Sequence, residues 1–233
     1  MSRSKRLRTM LQDFKPFPEC GPPERGAEGA WFWRSASGSV NEAVLSADEK
    51  ARITRLVSSE KRARLGHSLS RRREVLSSLL GAPATDIVIA YNQDGKPFLP
   101  DFPDVSVSFS DSGAANALAL VRSRHVGVDV ETIRPIGWHA MLPMLSSEDE
   151  AREVRNAVEG AGGLAAFFCC WAAKEAILKA AGTGLKGGAP RLRLPQAFIS
   201  GQQDRFSLAH DGLTLRVERF QIGDLVLSRA TSV

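Results

Sequence analysis

The chain has 233 residues, 43% hydrophobic and 24% charged. That suits a soluble globular protein with a sizeable core, as one large domain or two small ones sharing an interface. No stretch reaches membrane-spanning length, and no apolar run of signal-peptide length follows the basic Met1–Arg8 start. The formal net charge of +5 and the pI of about 9.4 favour an acidic partner. Nucleic acid, a phosphorylated cofactor, an anionic membrane and an acidic protein all qualify. Three cysteines, of which Cys169 and Cys170 are adjacent, make neither a disulfide framework nor a zinc spacing. They read as reduced thiols of a cytoplasmic protein.

Residues 16–29, rich in Pro, Gly and Glu, read as loop, and Ala30–Trp33 as a short buried strand. Ser46 and Glu49 have the spacing of a capping box and open a helix over 47–57; a second, arginine-rich helix spans 59–80 and ends at Gly81-Ala82-Pro83. The Arg71-Arg72-Arg73 run in it reads as a solvated face. Ile87–Tyr91 reads as a strand and 92–97 as a turn. Val105–Phe109 alternates apolar and small polar residues, the period of a half-buried strand, and Ala117–Val121 and Val126–Glu131 read as two further strands. After Pro135 comes a loop, with Trp138 and Met141 as a candidate partner surface or a cover for the core. Then come a helix over 147–158, a glycine break, and a strong helix over 164–181. Four strands are expected in the remainder, at 197–200, 205–209, 213–219 and 224–228. A division near residue 124 leaves each half with helices and a few strands, a mixed α and β class.

In the strand Val126-Gly127-Val128-Asp129-Val130-Glu131, alternation sends the valines to the core and Asp129 and Glu131 together to the other face. Two neighbouring carboxylates repel unless a cation or donors compensate, and a hard ion such as Mg²⁺ is suited to that task. On the later helix, Trp171, Glu175 and Lys179 fall in one row, with Phe167, Cys170, Lys174 and Leu178 in the next. Glu175 and Lys179 have the spacing of an ordinary surface pair, so a site reading requires their row to face the Asp129 strand. A third piece is the Gly95-Lys96-Pro97 turn, followed by Phe109-Ser110-Asp111-Ser112.

In this order and spacing, the pieces resemble the Sfp-type 4′-phosphopantetheinyl transferases. The residues that carry the likeness are Gly95-Lys96-Pro97, Ser108–Ser112, Gly127-Val128-Asp129-Val130-Glu131 and Trp171–Lys179, within about Leu45 to Leu185. The resemblance implies an α+β fold of two similar subdomains in a pseudo-twofold arrangement, residues 1–124 and 125–233, with coenzyme A in the cleft between them. It implies Mg²⁺-dependent transfer of the 4′-phosphopantetheine arm of coenzyme A to a serine of an apo acyl or peptidyl carrier protein, releasing 3′,5′-ADP, by a cytoplasmic monomer that uses neither nucleic acid nor a membrane span. By the same likeness Asp129, Glu131 and Glu148 hold the metal, Asp149 being the alternative to Glu148. Glu175 is the base for the carrier serine and Lys179 neutralises the pyrophosphate, assisted by Lys174. Arg52 and Arg64 contact the 3′-phosphate, and Lys96, Ser110 and Asp111 lie near the nucleotide.

One residue departs from the pattern. Family members commonly carry histidine where this chain has Asp111, and an aspartate repels a phosphate unless an arginine intervenes. Three readings follow: Arg64 bridges Asp111 and the ligand, the site accepts coenzyme A lacking the 3′-phosphate, or affinity is lower. The same departure motivates a rival reading, a coenzyme A-binding regulatory relative without transfer activity. The basic pI motivates another, a nucleic-acid binder.

Overall fold

The computed structural model describes residues 14–16, 23–35, 40–184 and 188–233. The basic N-terminus and most of the expected 16–29 loop lie outside them.

Two short strands, β1 (Phe14–Pro16) and β2 (Gly29–Arg34), precede the first helices. Helix α1 (Ala47–Thr54) begins as the sequence predicts: the Ser46 hydroxyl accepts from the Glu49 amide, and the Glu49 carboxylate accepts from the Ser46 amide. Helix α2 (Ser59–Leu80) is capped by Ser58 and stopped by Gly81 in the left-handed conformation. Strands β3 (Ala90–Tyr91), β4 (Pro97–Phe98), β5 (Val105–Ser112) and β6 (Ala115–Arg122) complete a six-stranded sheet of order β1-β2-β6-β5-β4-β3. Strand β7 (Val126–Thr132) belongs to a second sheet, of order β7-β10-β9-β8, with β8 at Arg205–His210, β9 at Leu213–Ile222 and β10 at Leu225–Ser232. Between them run α3 (Trp138–Leu145), α4 (Glu148–Glu159), α5 (Gly163–Ala181) and the short α6 (Gln196–Ile199). The architecture is α+β, as the sequence implies.

Three cores order these layers. One face of the first sheet packs Trp31, Val107 and Leu118 against Val75, Leu76 and Leu79 of α2. Its other face packs Phe32, Ala117 and Val121 against Val126, Val128 and Val130 of β7 and Leu227 of β10. Helix α5 covers the far side of the second sheet, with Val226 and Ala230 in its core. The residues of α5 are apolar almost all round, as a buried helix requires. Its half-buried positions include Trp171, Glu175 and Lys179, the row singled out in the sequence, whereas Phe167, Cys170, Lys174 and Leu178 are buried.

Gly127 explains how closely α5 lies on β7. A Cβ at this position would come 1.9 Å from the Ala176 carbonyl oxygen and 2.5 Å from the Ala180 nitrogen. Both are backbone atoms, so no side chain can move aside.

Several local expectations are corrected. The loop after Pro135 contains α3, in which Trp138, Leu142 and Leu145 are buried at helical spacing; Pro135, Gly137 and Pro143 mask that period. Trp138 therefore belongs to the core. The expected strand at 197–200 is instead the helical turn α6, which follows Pro195. Of Ile87–Tyr91 only Ala90 and Tyr91 pair in the sheet, and Ile87 packs in the core outside the strand. The arginine run is not a solvated face either. Arg73 is buried, donating to Glu49 and to the Ala84 and Ile87 carbonyls, and buried Arg72 reaches Asp111 and lies over the Phe109 ring.

Candidate active site at the seam of the two sheets

The edge of β7 that is not paired within the second sheet faces β5. Alternation along β5 turns Val105 and Val107 toward α2 and turns Ser108, Ser110 and Ser112 toward β7. The sequence reading left this serine face half-open, but all three side chains are buried. Each hydroxyl accepts a backbone N–H of β7: Val128 to Ser108 at 3.0 Å, Val130 to Ser110 at 3.2 Å and Thr132 to Ser112 at 3.3 Å. Buried N–H groups need such partners, and here side chains replace a backbone ladder.

On this seam stand the two strand carboxylates. Asp129 Oδ1 accepts from the Ser110 hydroxyl at 2.7 Å and from Lys179 Nζ at 2.7 Å. Glu131 Oε2 accepts from the Ser112 hydroxyl at 2.6 Å and lies 3.6 Å from Arg134. Lys179 also donates to the Val128 carbonyl at 3.2 Å, a contact that the close approach at Gly127 permits. Glu175 joins the group from one turn earlier on α5. Burial and the negative charges of Asp129 and Glu131 push its carboxyl up to about 7, against the pull of Lys179. Burial likewise pushes Glu131 up, with the Ser112 hydrogen bond acting the other way.

The row on α5 thus faces the acidic strand. Beside them opens a cleft of about 210 Å³, lined by Lys96, Pro97 and Phe109 on one side and Glu175, Lys179 and Gly182 on the other. Lys96 donates to the Ala180 carbonyl at 2.6 Å, and burial lowers its pKa.

Other expected site residues lie elsewhere. Lys174 is fully buried on the opposite side of α5, where it donates to Glu150 and to the Leu145 and Ala189 carbonyls. All three of its donors are engaged, so it is a core residue and not an aid to Lys179. Its place in the core row of the helix already pointed there. Glu148 is exposed in the first turn of α4, and exposed Asp149 pairs with Arg152; neither is gathered with Asp129 and Glu131. Arg52 is exposed, and Arg64 pairs with Glu60 one turn away. The partner of Asp111 is therefore Arg72, at 3.2 Å, together with the Ser68 hydroxyl at 2.6 Å. Ser110 uses its hydroxyl on Asp129 and β7. Sequence reasoning passed over Arg72, Ser112 and Gly127; the strict Ser-x-Ser-x-Ser spacing was the available signal for the seam.

Among the described residues, no three His, Cys, Asp or Glu side chains are gathered closely enough to hold a metal ion by themselves. Mg²⁺ is commonly held by one or two carboxylates with substrate phosphates and water completing its shell. Asp129 and Glu131 fit that pattern. Oδ2 of Asp129 is buried without a hydrogen-bond partner, as a position reserved for a cation would be.

Fold and seam together define an α+β protein with a carboxylate cluster and a lysine at the junction of two sheets. Residues 125–227 match the 4′-phosphopantetheinyl transferase superfamily. It is similar to the 4′-phosphopantetheinyl transferase HetI of a Nostoc species, with 32% identity over 146 residues, 61% of this chain and 62% of that one. It is similar also to the transferase Sfp of Bacillus subtilis strain 168, 27% identical over 64% of this chain and 70% of that one. The transferase AcpT of Escherichia coli K12 is 37% identical over 47% of this chain and 55% of its own length. The chain thus spans less than two thirds of HetI and about half of AcpT.

Proposed function

We propose that the protein transfers the 4′-phosphopantetheine arm of coenzyme A to a serine of an apo acyl or peptidyl carrier protein. The observation that carries this reading is the gathering of Asp129, Glu131, Glu175 and Lys179, the last two of which line the cleft, in a chain whose relatives bear the name of that activity. Residues 1–124 and 125–233 act as two halves, with coenzyme A between them; the cleft walls, drawn from β4 and β5 on one side and α5 on the other, support that division.

Asp129 and Glu131 would hold Mg²⁺, which when bound neutralises and orients the pyrophosphate oxygens. Lys179 and Lys96 place further positive charge along the cleft, where phosphoryl transfer needs it most. Glu175, with a carboxyl that titrates near neutrality, takes the proton of the carrier serine. The serine oxygen bonds to the phosphorus that carries the pantetheine arm, the pyrophosphate bridge breaks, and 3′,5′-ADP leaves. The net charge of +5 suits an acidic carrier. We place the enzyme in the cytoplasm as a monomer.

Chromatography of the nucleotide products tests the reading. 3′,5′-ADP should form from coenzyme A in step with carrier consumed, and only when apo carrier and Mg²⁺ are both present. Coenzyme A that remains intact across fatty-acid, polyketide and peptide carriers would contradict it.

A further inference from the structure

We propose that Ser110 and Ser112 are positioning residues that set the carboxylates of Asp129 and Glu131 for a divalent cation. The inference rests on the metal-dependent reading above and assigns a role to residues outside the ligand set.

The geometry repeats. Ser110 accepts the N–H of Val130 and donates to the side chain of the residue before it, Asp129. Ser112 accepts the N–H of Thr132 and donates to the residue before it, Glu131. A hydroxyl has a single proton to donate, so each carboxylate is tied through one oxygen to the backbone of its own strand. Neither carboxylate can turn without breaking its serine hydrogen bond, which is buried at Asp129 and partly buried at Glu131. Asp129 Oδ1 is occupied by Ser110 and Lys179, and Oδ2 is left without a partner. A rigid carboxylate with one bound and one free oxygen is what outer groups impose on a metal ligand.

Ser108 supplies an internal control. It accepts the N–H of Val128 in the same way, but the residue before Val128 is Gly127, which has no side chain to orient. Ser108 therefore fastens β7 to β5 and positions no carboxylate.

The test titrates Mn²⁺ into metal-free protein saturated with coenzyme A, read by electron paramagnetic resonance of the free ion. If the wild-type chain takes up no Mn²⁺, the metal-dependent reading itself fails. If it does, Ser110→Ala and Ser112→Ala should each weaken uptake about tenfold, the scale of a lost outer-shell partner, and Ser112→Thr should restore it. Ser108→Ala should lower the melting temperature, through the lost bond to Val128, and leave Mn²⁺ affinity unchanged. Folded Ser110→Ala and Ser112→Ala proteins with wild-type Mn²⁺ affinity would overturn the proposal. So would an equal loss of affinity in Ser108→Ala, or a Ser110→Ala variant that loses coenzyme A affinity alone.

Discussion

Gly127 and Ala176 meet backbone to backbone: a Cβ on the glycine would stand 1.9 Å from the alanine carbonyl oxygen. This contact sets the distance from α5 to β7, and with it the reach of Lys179 to Asp129. Gly127→Ala should therefore push the helix away, at a cost of about 3 kcal/mol or more from overpacking, with loss of transfer activity in the protein that still folds. Urea unfolding measures the first effect. A variant as stable as the wild type would show that the contact does not govern the packing.

Glu175 links stability to pH. Its carboxyl titrates at about 7 in the folded protein against an ordinary value of 4.5, so the folded state holds the proton more tightly than the unfolded chain. Its contribution is fully present below about 4.5 and is lost as pH rises through about 7. Glu175→Gln removes the buried charge. The variant should be more stable than the wild type at pH 8, and the gap should narrow toward pH 5.5 in metal-free buffer. Transfer should fall about 10²–10⁴-fold, the usual worth of a general base. Parallel stability curves for the two proteins would contradict the assignment.

Lys174 forms a buried pair with Glu150. Lys174→Met leaves that carboxylate without its cation and should cost about 3–5 kcal/mol, while the folded fraction keeps its KM for coenzyme A. A variant of unchanged stability with a raised KM would return Lys174 to the ligand site.

Asp111 offsets the charge of Arg72, whose guanidinium is nearly buried. Asp111→Ala should cost about 1 kcal/mol, since the aspartate side is half open to solvent, and should tighten coenzyme A binding severalfold by freeing a positive charge. Calorimetric titration would show this, with Asp111→His alongside. Tightening in the histidine variant alone would make the imidazole the relevant contact. Unchanged affinity in both would put Asp111 outside the ligand's reach.

Much of the candidate site's geometry was legible because it follows short-range periodicity. The period of two placed Asp129 and Glu131 on one face, and the helical row placed Glu175 and Lys179 together. The capping box at Ser46 and Glu49 was legible for the same reason. What the sequence did not show depends on contacts between distant segments. Arg72 and Arg73 look solvated until Asp111 and Glu49 are brought to them. The β5 serines look like a wet strand face until β7 presents its N–H groups. Helix α3 carries a regular i, i+4, i+7 pattern at Trp138, Leu142 and Leu145, hidden by one proline inside it and another before it. The third metal ligand expected at Glu148 came from the family resemblance, and Glu148 stands exposed at the start of α4; Glu175 reaches the acidic strand through the packing of α5 on β7.

The most direct test is the intact mass of an apo carrier protein incubated with coenzyme A, Mg²⁺ and this protein. The carrier should gain one phosphopantetheine arm with the wild type, and none on the same timescale with Asp129→Asn, with Glu175→Gln, or with Mg²⁺ chelated. A carrier left unchanged by the wild type, or modified equally well by Asp129→Asn, would contradict a single active site built on Asp129, Glu131, Glu175 and Lys179.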